Sequence, residues 1–199
     1  MAPYGPMDGN GAARARILAL LRAHLARAIE PGEAAMTAET ICFVEGQADC
    51  LLRTCAPGHL TGSAWVLSPD RQRILLTHHR KLDKWLQLGG HADGDPDLLG
   101  VALREAREES GLTRLCVITP EIFDLDRHRI PARGGEPAHW HYDVRFLCEA
   151  DPTAPLVVTN ESKELAWVEV ARVAELNAEE SMIRMVRKTN GGAVCDDRR

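Results

Sequence analysis

The sequence predicts one α/β or α+β domain built on a mixed sheet, with a helical extension ahead of it. Three observations carry that expectation. The run AARARILALLRAHLARAI (12–29) repeats apolar residues at helical spacing, the texture changes after Gly62 to short β-type runs, and one amphipathic segment (97–110) lies between those runs and later ones. With 199 residues, 45% of them apolar and 27% charged, the chain can bury one sizeable core, and nothing in it demands a second domain.

Residues 1–10, MAPYGPMDGN, are rich in Gly and Pro and read as a disordered lead-in, followed by a helical extension over 11–60. Its first helix runs from Ala12 to Ile29, with Ile17, Leu20, Leu21 and Leu25 on a stripe that packs against the rest of the fold. The second runs from Thr37 to Glu45, after a turn at Pro31-Gly32. The main domain spans 61–190. It opens with strands at SAWVLS, RILLTHH and WLQLGG, the first two joined by a hairpin turn at Pro69-Asp70. The helix Asp97–Ser110 follows, with Asp95 as its N-cap, Pro96 at the first helical position and Gly111 as its stop. Strands at Leu115–Phe123, His139–Cys148 and Leu165–Val170, a helix from Glu179 to Lys188 and a flexible tail over 191–199 complete the order.

The net charge of −5 excludes a non-specific nucleic-acid binder, whose footprint is a basic excess. It leaves room for a local basic pocket, so the expected partner is a small nucleotide or other phosphorylated metabolite rather than DNA. Six cysteines at irregular spacing, with no CxxC pair and no signal peptide, read as reduced thiols in a cytoplasmic chain. No apolar run approaches the roughly 18 residues of a membrane span. A homodimer is the alternative to a monomer.

The segment GGHADGDPDLLGVALREAREESGL raises a problem of charge. At about 100° per residue from Leu98, the residues Leu98, Leu99, Ala102, Leu103 and Ala106 form one apolar stripe, while Glu105, Glu108 and Glu109 share a flank with Glu109 at the stripe's edge. Crowded, partly desolvated carboxylates repel one another and need a compensating cation. Arg104 and Arg107 point mostly away from the flank, so a hard divalent ion with oxygen ligands, Mg²⁺ or Mn²⁺, fits the gap; a solvated acidic face laced to the arginines is the bland alternative.

The composite of Gly90, Arg104-Glu105-Ala106, Glu108-Glu109 and Gly111-Leu112 resembles the signature of the Nudix hydrolase superfamily, Gx5Ex7REUxEExGU, where U is aliphatic. Pro96 stands where that signature has a glutamate. The resemblance implies a mixed sheet sandwiched between helices, and metal-dependent hydrolysis of a nucleoside diphosphate linked to another group, water attacking phosphorus. It also implies that Glu105, Glu108 and Glu109 bind metal, with the Gly89 carbonyl as a further ligand, and that Arg104 orients them. Some members use another glutamate on a loop before a late strand, and here NESKELAW offers Glu161, with Glu164 beside it. The general base lies among Glu105, Glu109 and Glu161. Loss of the glutamate at position 96 predicts altered support around Arg104, with Asp95 or Asp97 as substitutes, and an intact metal site.

His78, His79, His91, His139 and His141 lie near this segment in sequence; His139 and His141 share one face of a strand, continued by Asp143. His91, His139 and His141 are candidates for a second metal or for phosphate contacts, against a reading as hydrogen-bonded strand histidines. Arg80, Lys81 and Lys84 are candidates for phosphate, and Trp85, Trp140 and Tyr142 for stacking a base, against solvated hairpin and core roles. Family cues for particular substrates are absent, so the substrate stays open. Two alternatives stand beside hydrolysis. One is an isopentenyl-diphosphate-isomerase-like enzyme, suggested by the turn WLQLGGH but lacking a cysteine in the needed context. The other is a non-catalytic domain that binds a nucleotide metabolite.

Overall fold

In the computed structural model, which describes residues 9–27, 30–135 and 137–191, one strand, β1 (Gly58–Leu67), is buried along its whole length and organises the rest. Leu60, Ala64 and Val66 enter one apolar core, and Trp65 and Leu67 enter another on the opposite face. A strand covered on both faces must be apolar on both, so HLTGSAWVL lacks the alternation of a half-exposed strand.

β1 pairs in parallel over ten residues with β6 (His139–Glu149), from Gly58 opposite Trp140 to Leu67 opposite Glu149. Its other edge pairs antiparallel with β2 (Arg73–His79) at one end and with β4 (Leu88–His91) at the other. β2 also pairs with β3 (Lys84–Leu86) and β7 (Ser162–Glu169), and β5 (Cys116–Ile130) pairs with β6. Together they make the expected mixed sheet, of seven strands. Helices α1 (Gly9–Leu25), α2 (Pro31–Gly46) and α3 (Leu98–Ser110) cover the first core through Ile17, Leu21, Phe43, Val44, Val101 and Ala106. After a short helix α4 (Val173–Leu176), α5 (Glu180–Gly191) covers the second core with Met182 and Met185.

Several boundaries differ from expectation. α1 begins at Gly9, within the anticipated lead-in, and ends at Leu25; residues 1–8, 28–29 and 192–199 lie outside the described residues, and with them most of the lead-in and tail. α2 starts at Pro31, because a proline in the first turn loses no hydrogen bond there. β5 runs seven residues beyond Phe123, through the charged stretch DLDRHRI. That stretch carries no strand pattern, and its charges are accommodated by partners far away in sequence. Cys42, Cys50, Cys55, Cys116 and Cys148 are unpaired; Cys195 lies outside the described residues. No described helix is long and apolar enough to cross a membrane.

Asp124, on β5, is fully buried. Arg184 reaches it at 2.7 Å, Lys188 at 2.7 Å and Arg145 at 3.2 Å, while Arg145 also holds Asp143 at 2.7 Å and Asp126 at 3.4 Å. Burial would raise the Asp124 pKa, yet the Arg184 hydrogen bond and the charges of Arg145 and Lys188 hold it below the ordinary value. The same seam reaches the N-terminal helices: Glu33 accepts from Lys188 and from the Leu125 N–H, and contacts His24 at 2.8 Å. Replacing Arg145 by Met would leave buried carboxylates without their shared cation; a loss of about 3–5 kcal/mol is expected, measurable by urea unfolding.

Candidate active site

α3 is built to lie close to the sheet. The Asp97 carboxylate caps it, accepting from the Gly100 N–H at 3.0 Å, and Gly111 ends it in the left-handed conformation with φ 75°. The N-cap is therefore Asp97 rather than Asp95, and Pro96 precedes the helix instead of opening it. Asp95 accepts from the Asp97 N–H at 2.9 Å, a short turn that lets Asp97, two residues nearer the helix, take the cap. Beneath α3 the sheet carries glycines: a Cβ at Gly62 would lie 2.7 Å from the Leu98 carbonyl oxygen, and one at Gly90 would lie 2.3 Å from the Glu105 carboxylate. Larger residues at either position would lift the helix or displace the acid.

This seating brings Glu105 and Glu109 onto the wall of a cavity of about 580 Å³, together with Gly89, Gly90 and Glu161. Glu109 is 6% exposed, and its carboxylate accepts from the Gly89 N–H at 3.1 Å. Burial pushes its pKa up to about 8, opposed by the Gly89 N–H and reinforced by the charges of Glu161, Glu105 and Glu108. Burial also raises the pKa of Glu105, against the hydrogen bond and charge of Arg104. Glu108 is exposed on the same flank and is not part of the cavity wall.

Arg104 turns towards the cluster despite its unfavourable position on the helix, because its long side chain wraps back to β4. Its guanidinium lies 3.0 Å from the Glu105 carboxylate, donates to the His91 carbonyl at 3.3 Å and stands 3.7 Å from Asp95. Asp95 thus supplies a carboxylate beside Arg104 while Pro96 supplies none.

The NUDIX domain family matches residues 59–189 of this chain, with the signature glutamates inside the match. The chain belongs to the Nudix family. Its fold is similar to that of the Ap4A hydrolase of C. elegans, with a TM-score of 0.54 and 17% identity over 66% of this chain and 94% of that one. The E. coli dihydroneopterin triphosphate pyrophosphohydrolase gives 0.52 and 15% over 67% and 96%, and the Nudix hydrolase RenU of M. smegmatis gives 0.50 and 21% over 66% and 83%. No curated protein sequence matches the chain.

Other residues flagged in the sequence separate into those at the Nudix cavity and those held elsewhere. Glu161 reaches the cavity on a loop that Arg80 clamps: the Arg80 guanidinium donates to the carbonyls of Asn160 at 3.0 Å and Ser162 at 2.8 Å. Arg80 is thereby spent on backbone instead of phosphate. Lys81 and Lys84 line the cavity, and Lys84 is paired with Glu179. Tyr142 does not face the cavity. Its ring is 6% exposed and stacks on Phe43 at 4.0 Å, so it belongs to the core under α2. Trp140 carries the Arg127 guanidinium 4.2 Å above its ring, and Trp85 stacks on His78 at 5.1 Å; neither lines the cavity.

His91 and His141 line the cavity, and His139 stands beside His141. The sequence reading missed His59, which the β1–β6 register places opposite His141, and Gln87, whose side-chain amide donates to Asp143 at 3.0 Å. Strand register is a long-range property, and neither residue lies in a motif that announces it.

The Glu109 pKa makes a sign-definite prediction for metal-free protein. A carboxyl raised from 4.5 in the unfolded chain to about 8 in the fold contributes stability below its unfolded value and loses it as pH rises through the folded value. In the presence of a chelator, the melting temperature of the wild type is expected to fall relative to Glu109→Gln between pH 5 and pH 8, roughly, and the gap to level off above that. Parallel melting curves across this range would show that Glu109 is not buried as described.

Proposed function

We propose that this protein hydrolyses a pyrophosphate bond in a nucleoside diphosphate linked to another group, in a reaction that depends on Mg²⁺ or Mn²⁺. The observation that carries the reading is the convergence of Glu105, Glu109 and Glu161 with Gly89 on one cavity. The donor set fits a hard divalent ion. Burial, and after it the charges of the neighbouring acids, raises the pKa values of Glu105 and Glu109, and Arg104 pairs with Glu105 but not with Glu109, so a cation bound between them would offset the cost of ionising both. Glu105, Glu108, Glu109 and the Gly89 carbonyl would hold the ion, which when bound neutralises charge on the phosphoryl oxygens and makes water a better nucleophile.

The chain's own residues supply orientation and proton transfer. Arg104 positions the Glu105 carboxylate, and the Gly89 N–H positions that of Glu109. Glu161, carried into the cavity by the loop that Arg80 clamps, offers a third carboxylate; the proton of the attacking water goes to Glu105, Glu109 or Glu161. Arg53, Lys81, Lys84 and Arg129 bring positive charge to the cavity wall, which suits an anionic substrate.

A phosphate-release screen with Mg²⁺ and with Mn²⁺ tests the reading, over nucleoside diphosphate sugars, ADP-ribose, dinucleoside polyphosphates, coenzyme A, nucleoside triphosphates and isopentenyl diphosphate. Turnover is expected on at least one diphosphate-linked nucleotide. On that substrate Glu109→Gln and Glu108→Gln should each lower kcat by about 100-fold or more while leaving the circular dichroism spectrum unchanged. Wild-type-like turnover in both variants at saturating metal removes the metal assignment. A thermal shift by one compound with no turnover on any favours a binding domain instead.

A further inference from the structure

His59 on β1 and His139 and His141 on β6 each offer one ring nitrogen, and all three nitrogens lie within 4.8 Å of one another. Nε2 of His141 is 3.1 Å from Nε2 of His59 and 3.3 Å from Nε2 of His139. The arrangement comes from the backbone. Parallel pairing sets His59 opposite His141, and the two-residue period of the strand sets His139 beside it on the same face.

Hydrogen bonding among the rings does not account for this convergence. A neutral imidazole nitrogen carries one proton or one lone pair, so Nε2 of His141 can serve one neighbour and not both. The Nδ1 of His139 lies 2.9 Å from the Pro137 carbonyl oxygen and donates to it, which leaves a lone pair on Nε2 of the neutral ring. His59 is 2% exposed, and its Nδ1 has no hydrogen-bond partner. Three rings are thus held in contact, with centroids 4.7–5.2 Å apart, around a point that their own protons cannot fill.

A tetrahedral ion would satisfy all three nitrogens at once. Bonds of about 2.0–2.1 Å from such an ion to imidazole place the ligand nitrogens about 3.3 Å apart; the two separations from His141, 3.1 Å and 3.3 Å, fit that spacing, and the third nitrogen pair lies within 4.8 Å. The Pro137 carbonyl behind His139 is also the kind of support that fixes the tautomer of a metal-binding histidine.

We propose that His59, His139 and His141 form a tris-imidazole site for a divalent transition-metal ion of the Zn²⁺ class, distinct from the carboxylate cluster of α3. The two donor sets select different ions: neutral imidazoles suit Zn²⁺, and carboxylates suit Mg²⁺ or Mn²⁺. His141 also lines the cavity that Glu105 and Glu109 line. A fourth ligand, water or an anionic oxygen of a bound molecule, would then come from the cavity side through His141. The site stands on the strand geometry alone and does not depend on the hydrolytic reading.

Co²⁺ serves as a coloured probe for Zn²⁺. Metal-free protein titrated at neutral pH is expected to bind about one equivalent with the visible absorption of four-coordinate cobalt, and Zn²⁺ should bleach that band whereas excess Mg²⁺ should not. His139→Gln, at a half-buried position, and His141→Gln should each abolish the band. The double variant Glu105→Gln/Glu109→Gln should retain it. If His141→Gln does not fold, His139→Gln decides. Four results would overturn the site: no visible band, a band that survives His139→Gln, a band lost in the glutamate double variant, or a thiolate-to-cobalt charge-transfer band that places the ion on cysteine.

Discussion

A helix can rest on a sheet as closely as α3 rests on β1 and β4 only where the sheet carries no side chains in the way. Gly62 under the first turn of α3 and Gly90 under Glu105 supply that clearance. Everything at the candidate site follows from it. The close seating buries Glu109, brings its carboxylate to the Gly89 N–H, and lets the Glu105 carboxylate meet the backbone of β4. The same seating desolvates both acids, so the contact that organises the site also loads it with unfavourable charge. A ligand that stabilises the ionised carboxylates would offset that cost.

The molecule treats two buried ionic groups in opposite ways. Around Asp124, Asp126 and Asp143, the side chains of Arg145, Arg184 and Lys188 bring opposite charge within ion-pair distance, which ties β5, β6 and α5 together and reaches Glu33 in the N-terminal extension. Around Glu105 and Glu109, Arg104 pairs with the outer acid and the inner one is left with a backbone N–H. Saturated networks rigidify a fold, whereas an unsaturated one is a place for chemistry. Asp143 joins the two, since it is held by Arg145 and also lines the cavity with Thr61 and Ser63.

The N-terminal helices lie outside the matched family region, yet they are part of the main core. Ile17, Leu21, Phe43 and Val44 pack in the same apolar cluster as Leu60, Val66 and Ala106. Arg14 of α1 donates to the carbonyls of Val44 and Glu45, satisfying the end of α2, and Phe43 stacks on Tyr142 of the sheet. Tyr142 thereby serves as the seat of the extension. Of the base-stacking and core roles open to this ring in the sequence, the contact with Phe43 selects the core.

What the sequence by itself determined is what depends on neighbours along the chain. The apolar stripe of α3, the stop at Gly111 and the shared flank of Glu105, Glu108 and Glu109 follow from helical period and local backbone preference, and the spacing from Gly90 identified the family. The alternation of His139 and His141 on one strand was legible for the same reason. What only the tertiary structure decided depends on register between distant segments: His59 opposite His141, Arg80 closing on the loop of Glu161, Gln87 reaching Asp143, and Arg145 drawing the charged half of β5 into the sheet. These meetings join residues between 21 and 82 positions apart, and no local period encodes them, because they are set by which faces the whole sheet must bury.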